Sequence, residues 1–298
     1  MRKSPSFLEV CVFLVLFGGI AGCNLRFGAG IKGSGVAKTE QRPVGAFSRI
    51  EVGSAVHLDW QTGKEPSLEA TAEDNLLPHL VTEVVGDTLK IYFDVNINAT
   101  KDIVVKAASR DLDGLTGSGA TRSSLKGIHS DDFKLELSGA SQCTLSGHAK
   151  SLAVECSGAS SAKSDGFDVG DASVATSGAS SAEIRAKGLR SVDCSGASKV
   201  TVREIQADEL KLELSGASRC TLAGQVKQLT IETAGASTVH AAELKAKSVK
   251  LDVSGASHIE VDAVESITGA AHGGSHVRYL GAAEPKVRTS GGASVQKK

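Results

Sequence analysis

Apolar and polar residues alternate with a period of two over most of the chain, on both sides of a recurring Ser-Gly-Ala-Ser. Ahead of it stand Leu135 and Leu137, Val154 and Cys156, Val192 and Cys194, Leu212 and Leu214, Ile231 and Thr233, and Leu251 and Val253. Behind it stand Cys143 and Leu145, Val200 and Val202, Cys220 and Leu222, and Ile259 and Val261. This alternation predicts two short strands, each with one buried face, joined by a bend at the tetrapeptide. A third, less regular apolar stretch precedes each next copy, as at Phe167 and Val169, Ile184 and Leu189, and Val226 and Leu229. The glycines of the tetrapeptide and its near copies are Gly119, Gly139, Gly158, Gly178, Gly196, Gly216, Gly235 and Gly255, spaced by 18 to 20 residues. Three short strands in that length leave no room for a helix. They predict an all-β parallel β-helix, a solenoid of about 19–20 residues per coil. A leucine-rich repeat of similar period would need an L-x-x-L-x-L core and an Asn ladder, and the chain has neither.

Glycine at the bend is expected because it reaches φ > 0 without a Cβ clash, so one per coil turns the chain at a corner. The Ala and Ser beside it are small enough to stack on their counterparts about 4.8 Å above and below, and the Ser hydroxyls are expected to form a hydrogen-bonded ladder along that corner. Degraded copies at Gly269-Ala270-Ala271 and Gly292-Ala293-Ser294 predict that the repeat continues almost to the C-terminus. About ten coils at that rise make a rod on the order of 45 to 50 Å long.

The segment 44–113 lacks the tetrapeptide but alternates too, over Phe47 to Trp60 and over Thr82 to Phe93 around a Gly86-Asp87 turn. It reads as atypical opening coils of the same solenoid, ahead of the Ser-Gly-Ala-Ser repeats of 114–298, because terminal repeats close an end. Residues 23–43 are polar and Gly-rich from Asn24 on, and read as a flexible tether. Within them Gly28-Ala29-Gly30-Ile31-Lys32-Gly33 matches G-x-G-x-x-G. It lacks the preceding strand and following helix that a dinucleotide site requires. Residues 1–22 carry Arg2 and Lys3 and then the apolar run Val10 to Ile20, a processing signal rather than a membrane span. The signal ends in Ile20-Ala21-Gly22-Cys23, which resembles a bacterial lipobox. That resemblance implies cleavage before Cys23 and attachment of lipid to it, and Asn24 rather than Asp next to it favours the outer membrane.

Charge removes some functions. Lys and Arg number 33 against 34 Asp and Glu, so no net positive charge recommends nucleic acid as a partner. With 8 Phe, 2 Tyr and 1 Trp beside 33 Gly, the core must be thin and platforms for stacking sugars scarce. Catalytic β-helices need carboxylates stacked on adjacent coils. The outward residues after the bend, from Gln142 and Thr144 through Ser181 and Glu183 to His258 and Glu260, are mixed in charge and show no stacked acidic pair. The chain therefore reads as no enzyme, with a carbohydrate-active lyase or hydrolase as the alternative. No cofactor or metal is expected: His258, His272 and His276 lack a further ligand in sequence, and Asp111 and Asp113 read as a turn. The serines occur in no G-x-S-x-G elbow. Cys143, Cys156, Cys194 and Cys220 read as buried free thiols, since the pair before the tetrapeptide lies two coils apart, beyond disulfide reach.

The lipobox, the opening Gly45-Ala46-Phe47-Ser48-Arg49-Ile50-Glu51-Val52, the stretch Gly86-Asp87-Thr88-Leu89-Lys90-Ile91 and the serial Ser-Gly-Ala-Ser together resemble the head GIN domain family. The resemblance covers about Phe47 to Ser294. It implies a right-handed β-helix in the bacterial cell envelope, of the kind described as auto-transporter adhesins, though the lipid takes the place of a C-terminal membrane barrel. The expected role is an adhesin-like surface protein or an envelope scaffold. Its expected partners are the membrane through the lipid anchor, another envelope or surface component, and a second copy joined end to end at uncapped solenoid ends.

Overall fold

The computed structural model describes residues 30–298; the lipobox and Cys23 lie outside them. The chain winds into stacked parallel coils whose strands pair in register with the coil before and the coil after. Leu135 thus lies over Val154, Glu136 over Glu155 and Leu137 over Cys156. Strict register carries every inward position onto an inward position, so Leu137, Cys156, Thr176, Cys194, Leu214, Thr233 and Val253 form one buried column. Thin residues dominate this core, and the largest fully buried repeat side chains, Phe133 and Phe167, meet edge to face with centroids 6.2 Å apart.

The bends stack as well. Gly119, Gly139, Gly158, Gly178, Gly196, Gly216, Gly235 and Gly255 all have φ between 69° and 84°. The following alanine amide donates to the corner carbonyl one coil below, Ala140 to Gly119 and Ala159 to Gly139, both at 2.7 Å. Two constraints therefore select glycine here, because a Cβ at Gly139 would stand 2.5 Å from the Gly119 carbonyl oxygen. The column continues through Gly273 and Gly291, at φ 71° and 70°. This corrects the phase of the degraded copies. The late corners are His272-Gly273-Gly274-Ser275 and Ser290-Gly291-Gly292-Ala293, whereas Gly269 lies in a strand opposite Leu251.

The serine ladder is largely replaced by bonds to backbone carbonyls, within the turn or one coil below. The fourth residue of the tetrapeptide is buried, and Ser141, Ser180, Ser257 and Ser275 donate to the carbonyl three residues back, at 2.7, 2.8, 3.1 and 2.8 Å. The tight turn brings that acceptor closer than the hydroxyl one rise away. Along this column Ser218 and Ser237 do face each other across coils, at 3.4 Å.

A second corner, not evident in the tetrapeptide pattern, carries Gly127, Gly147, Gly166 and Gly224 at positive φ, with Glu204 at φ 66° in the same role. The ladders shift register there. The coil between Gly178 and Gly196 instead breaks into two strands, Ser181–Arg185 and Gly188–Cys194, which accounts for its short spacing.

The opening segment is wound differently from the expectation of consecutive coils. Arg49–Val52 and Val56–Thr62 form a coil that carries Gly114–Gly117 and Arg122–Leu137 on one side. On its other side lie Thr88–Phe93 and Ile103–Ser109, so the later segment sits beneath the earlier one. The chain reaches that level by reversing. Ser67–Glu73 and Leu80–Val85 run antiparallel to the strands they cover, and Ala37–Arg42 runs antiparallel to Ser67–Glu73. This end of the solenoid is therefore capped. Larger groups fill it, with buried Trp60 donating from Nε1 to Ser109 Oγ at 3.0 Å.

The stretch read as a tether belongs to this cap from Gly30 onward. Ile31–Lys32 pairs with Ile97–Asn98. Glu73, 1% exposed, accepts from the Gly35 amide at 2.7 Å, the Thr100 amide at 2.8 Å and the Thr100 hydroxyl at 2.6 Å. Arg42 donates to the carbonyls of Leu77 (2.7 Å) and Leu80. The folded unit thus begins well before residue 44, because polar side chains, invisible to an apolar pattern, hold this segment down.

Candidate binding groove

Alternation fixes what the rod shows to solvent. In the strand before the corner, the residue just ahead of each buried Leu137-type position points outward. Register stacks these residues as Thr116, Glu136, Glu155, Ala175, Asp193, Glu213, Glu232 and Asp252. Six of the eight are carboxylates, and Asp193, Glu213, Glu232 and Asp252 are consecutive. Next to them, the first serines of the tetrapeptides, Ser138, Ser157, Ser177, Ser195, Ser215 and Ser254, line up along the corner. Together these columns line an open groove of about 840 Å³ running parallel to the rod axis.

Two lysines already use part of it. Lys134 bridges Glu136 and Glu155, reaching the latter at 3.4 Å, and Lys211 bridges Glu213 and Glu232, reaching the latter at 3.6 Å. The Lys134 ammonium holds the Glu136 carboxyl below its usual pKa. Asp193 behaves oppositely: desolvation between the groove walls, then the negative charge of Glu213, raises its pKa, with Lys211 opposing. The sequence carries the acidic column plainly, two residues ahead of six of the eight tetrapeptides and near copies at the repeat spacing. Attention to the strand after the bend passes it by.

The other positions singled out in the sequence fall elsewhere. His258 and His276 stack on neighbouring coils with centroids 5.2 Å apart and planes 11° apart. His272 instead hydrogen-bonds Ser290, which opens the next corner, at 2.6 Å. No three metal-ligating side chains converge among the described residues. The Asp111 carbonyl accepts from Ser109 and the Asp113 carboxylate from Ser130, each at 2.8 Å, within the turn into the first repeat. The four described cysteines are buried and free. Burial raises all four thiols, Cys156 to about 11, and Cys143 further feels Cys156 as Cys220 feels Cys194.

Among solved structures, the chain is similar to a putative adhesin from Parabacteroides merdae, at 16% identity over 91% of this chain and 99% of that one, with a TM-score of 0.54. It is similar also to a putative adhesin from Parabacteroides distasonis, at 19% identity over 90% and 99%, again with a TM-score of 0.54. At these identities the likeness is one of fold. No curated protein matches the chain. The family described as putative auto-transporter adhesin, head GIN domain, matches residues 46–201 and 189–283, most of the solenoid, and the chain belongs to that family.

Proposed function

We propose that the protein is a lipid-anchored, non-enzymatic component of the bacterial cell envelope that binds an extended partner along its corner groove. The groove carries this reading. Carboxylates and, beside them, hydroxyls recur with the coil, which offers a long partner the same contacts again and again. Attachment at Cys23 suits the architecture, because the seven residues from there to Gly30 reach at most about 25 Å. The capped end then faces the outer membrane and the groove runs away from it. The family's adhesin description supports a surface or envelope address.

A carbohydrate-active enzyme is the second reading, and Asp193 beside Glu213 is the pair it would use, since desolvation and then the Glu213 charge raise the pKa of the Asp193 carboxyl. Against it, no aromatic side chain among the described residues lines the groove to stack a sugar ring.

Protease added to intact and to outer-membrane-permeabilised cells tests the address. Digestion in intact cells is expected, and protection until permeabilisation overturns surface display in favour of a periplasmic scaffold. Glu213→Lys with Glu232→Lys is expected to abolish attachment by cells displaying the protein; unchanged attachment overturns the groove as the binding surface.

A further inference from the structure

We infer that a notch at the second corner, away from the groove and independent of it, binds a small zwitterion, an α-amino acid held by its carboxylate and its ammonium group at once. The notch comes from a missing length of chain. Lys163 pairs with Glu183 and Asp171 with Gly188, so eight steps of one coil are answered by five of the next. The short coil cuts the corner instead of turning it. Its Ala186 amide donates to the Arg203 carbonyl of the following coil at 3.2 Å, and its Lys187 amide to the Val169 carbonyl of the preceding coil at 3.1 Å. Gly166 in the preceding coil and Glu204 in the following one still turn that corner, at φ 67° and 66°. An opening of about 230 Å³ is left there, lined by Gly166, Glu204, Arg185, Lys187 and the buried Ala186 and Phe167. It is smaller than the roughly 300–1,000 Å³ of pockets for drug-sized molecules, so its ligand is small.

Glu204 is out of place by local rules. Its counterparts, ahead of Ile128 and Phe167 as Glu204 is ahead of Ile205, are Gly127 and Gly166, and a Cβ at Gly166 would meet nothing within 4 Å. Backbone conformation alone therefore favours glycine at this position, and glutamate bears left-handed strain that glycine avoids. Strain of this kind, carried at a cavity whose wall the same side chain forms, points to a carboxylate retained for what it binds. The charges at the notch are also held apart. Arg185 stands 3.9 Å from Glu204 and Lys187 3.7 Å from Asp168, which His148 of the coil before approaches to 3.8 Å. None of these closes to a hydrogen bond, whereas Arg190 and Asp171 on the same two coils close to 2.7 Å. Two cations and two carboxylates at one opening thus keep their hydrogen-bonding capacity. A lone anion or cation meets as much repulsion as attraction there. A molecule bearing both charges finds partners for each, its carboxylate at Arg185 and Lys187 and its ammonium at Glu204.

Titration of the full lipidated chain in nonionic detergent with alanine, followed by the amide nitrogen–proton correlations of Gly166, Lys187 and Glu204, tests this. Saturable shifts confined to the notch are expected. Propionate, which keeps the carboxylate alone, and alaninamide, which keeps the ammonium alone, are each expected to bind roughly five-fold more weakly, because one set of exposed ion pairs is lost. Glu204→Gly is expected to weaken alanine binding by a similar factor while raising the midpoint of denaturant unfolding, since glycine removes the strain. Glu204→Gln is expected to weaken binding without that gain. Glu209→Gln, the same loss of charge at an exposed position of the same strand, is expected to change neither. Absence of saturable shifts, or propionate or alaninamide binding as well as alanine, overturns the inference. So does a Glu204→Gly variant that gains stability and binds alanine as before, and so does equal weakening by Glu209→Gln, which marks diffuse attraction to the surface.

Discussion

The capped end and the repeats bury the same kinds of apolar side chain but reach their shapes by opposite routes. In the repeats each strand finds its partner one coil away, and a short unit copied along the chain suffices. At the capped end the chain reverses, lays a later segment beneath an earlier one and covers both with antiparallel strands. Specific polar groups hold that arrangement, the Glu73 carboxylate and the Arg42 guanidinium above all. A solenoid propagates by backbone geometry and is terminated by side chains.

The largest test falls on the repeats. Gly216 combines φ 72° with a position where a Cβ would lie 2.5 Å from the Gly196 carbonyl oxygen. Gly216→Ala is therefore expected to cost about 3 kcal/mol or more, from left-handed backbone strain together with forced separation of two coils. Denaturant unfolding measures it; a loss under about 1 kcal/mol would show that the corner flexes, against the stacked geometry.

A smaller, local effect is expected at the cap. Thr100 hydrogen bonding, opposed by burial and aided by the Thr100 and Gly35 amides, lowers the pKa of Glu73. A depressed folded pKa contributes stability that is present above the ordinary carboxylate pKa and is lost as pH falls through the folded value. Acidification below that ordinary range should thus loosen the cap before the repeats. Hydrogen exchange at the amides of Gly35 and Thr100 should speed up there while that of Ala217 and Ala236, bonded to Gly196 and Gly216, stays slow. Glu73→Gln should abolish the pH dependence, and uniform acceleration at both ends would contradict the contrast.

The same contrast explains what the amino-acid sequence reveals. Register in the repeats is legible because a one-residue slip would turn Leu212 and Leu214 outward and Glu213 inward. The acidic column follows from that register and is legible with it. The order of the opening coils is not. The Gly86-Asp87 turn can be read locally, but nothing near Thr88 to Phe93 says that this strand pairs under Arg49–Val52. Nor does polarity around Gly33 and Gly35 reveal that a buried carboxylate awaits them, and a polar Gly-rich stretch reads as tether until Glu73 is placed. The late corners at Gly273 and Gly291 are missed by one to four residues because Gly-Gly replaces Gly-Ala there, and the tetrapeptide loses its signature while keeping its geometry.

The smallest effect comes from the place where cap and repeats meet. Ser54, at φ 67°, starts the corner column and accepts the Ala120 amide at 2.8 Å. It is the one member from Ser54 to Gly291 that is not glycine. Its side chain is accommodated because the coil beneath pairs Ile91 under Val52 and Ile103 under Val56, and the chain between them makes an excursion around the column. Ser54 therefore bears the backbone strain of the corner without the collision that Gly216→Ala would create. Ser54→Gly relieves that strain, worth roughly 1–2 kcal/mol, against the greater freedom of glycine in the unfolded chain, roughly 0.5–1 kcal/mol. A net gain of about 0.5–1 kcal/mol is expected in denaturant unfolding. Set beside Gly216→Ala, it divides the requirement for glycine into a small part due to φ and a large part due to the coil below, and a Ser54→Gly gain as large as the Gly216→Ala loss would assign the whole requirement to φ.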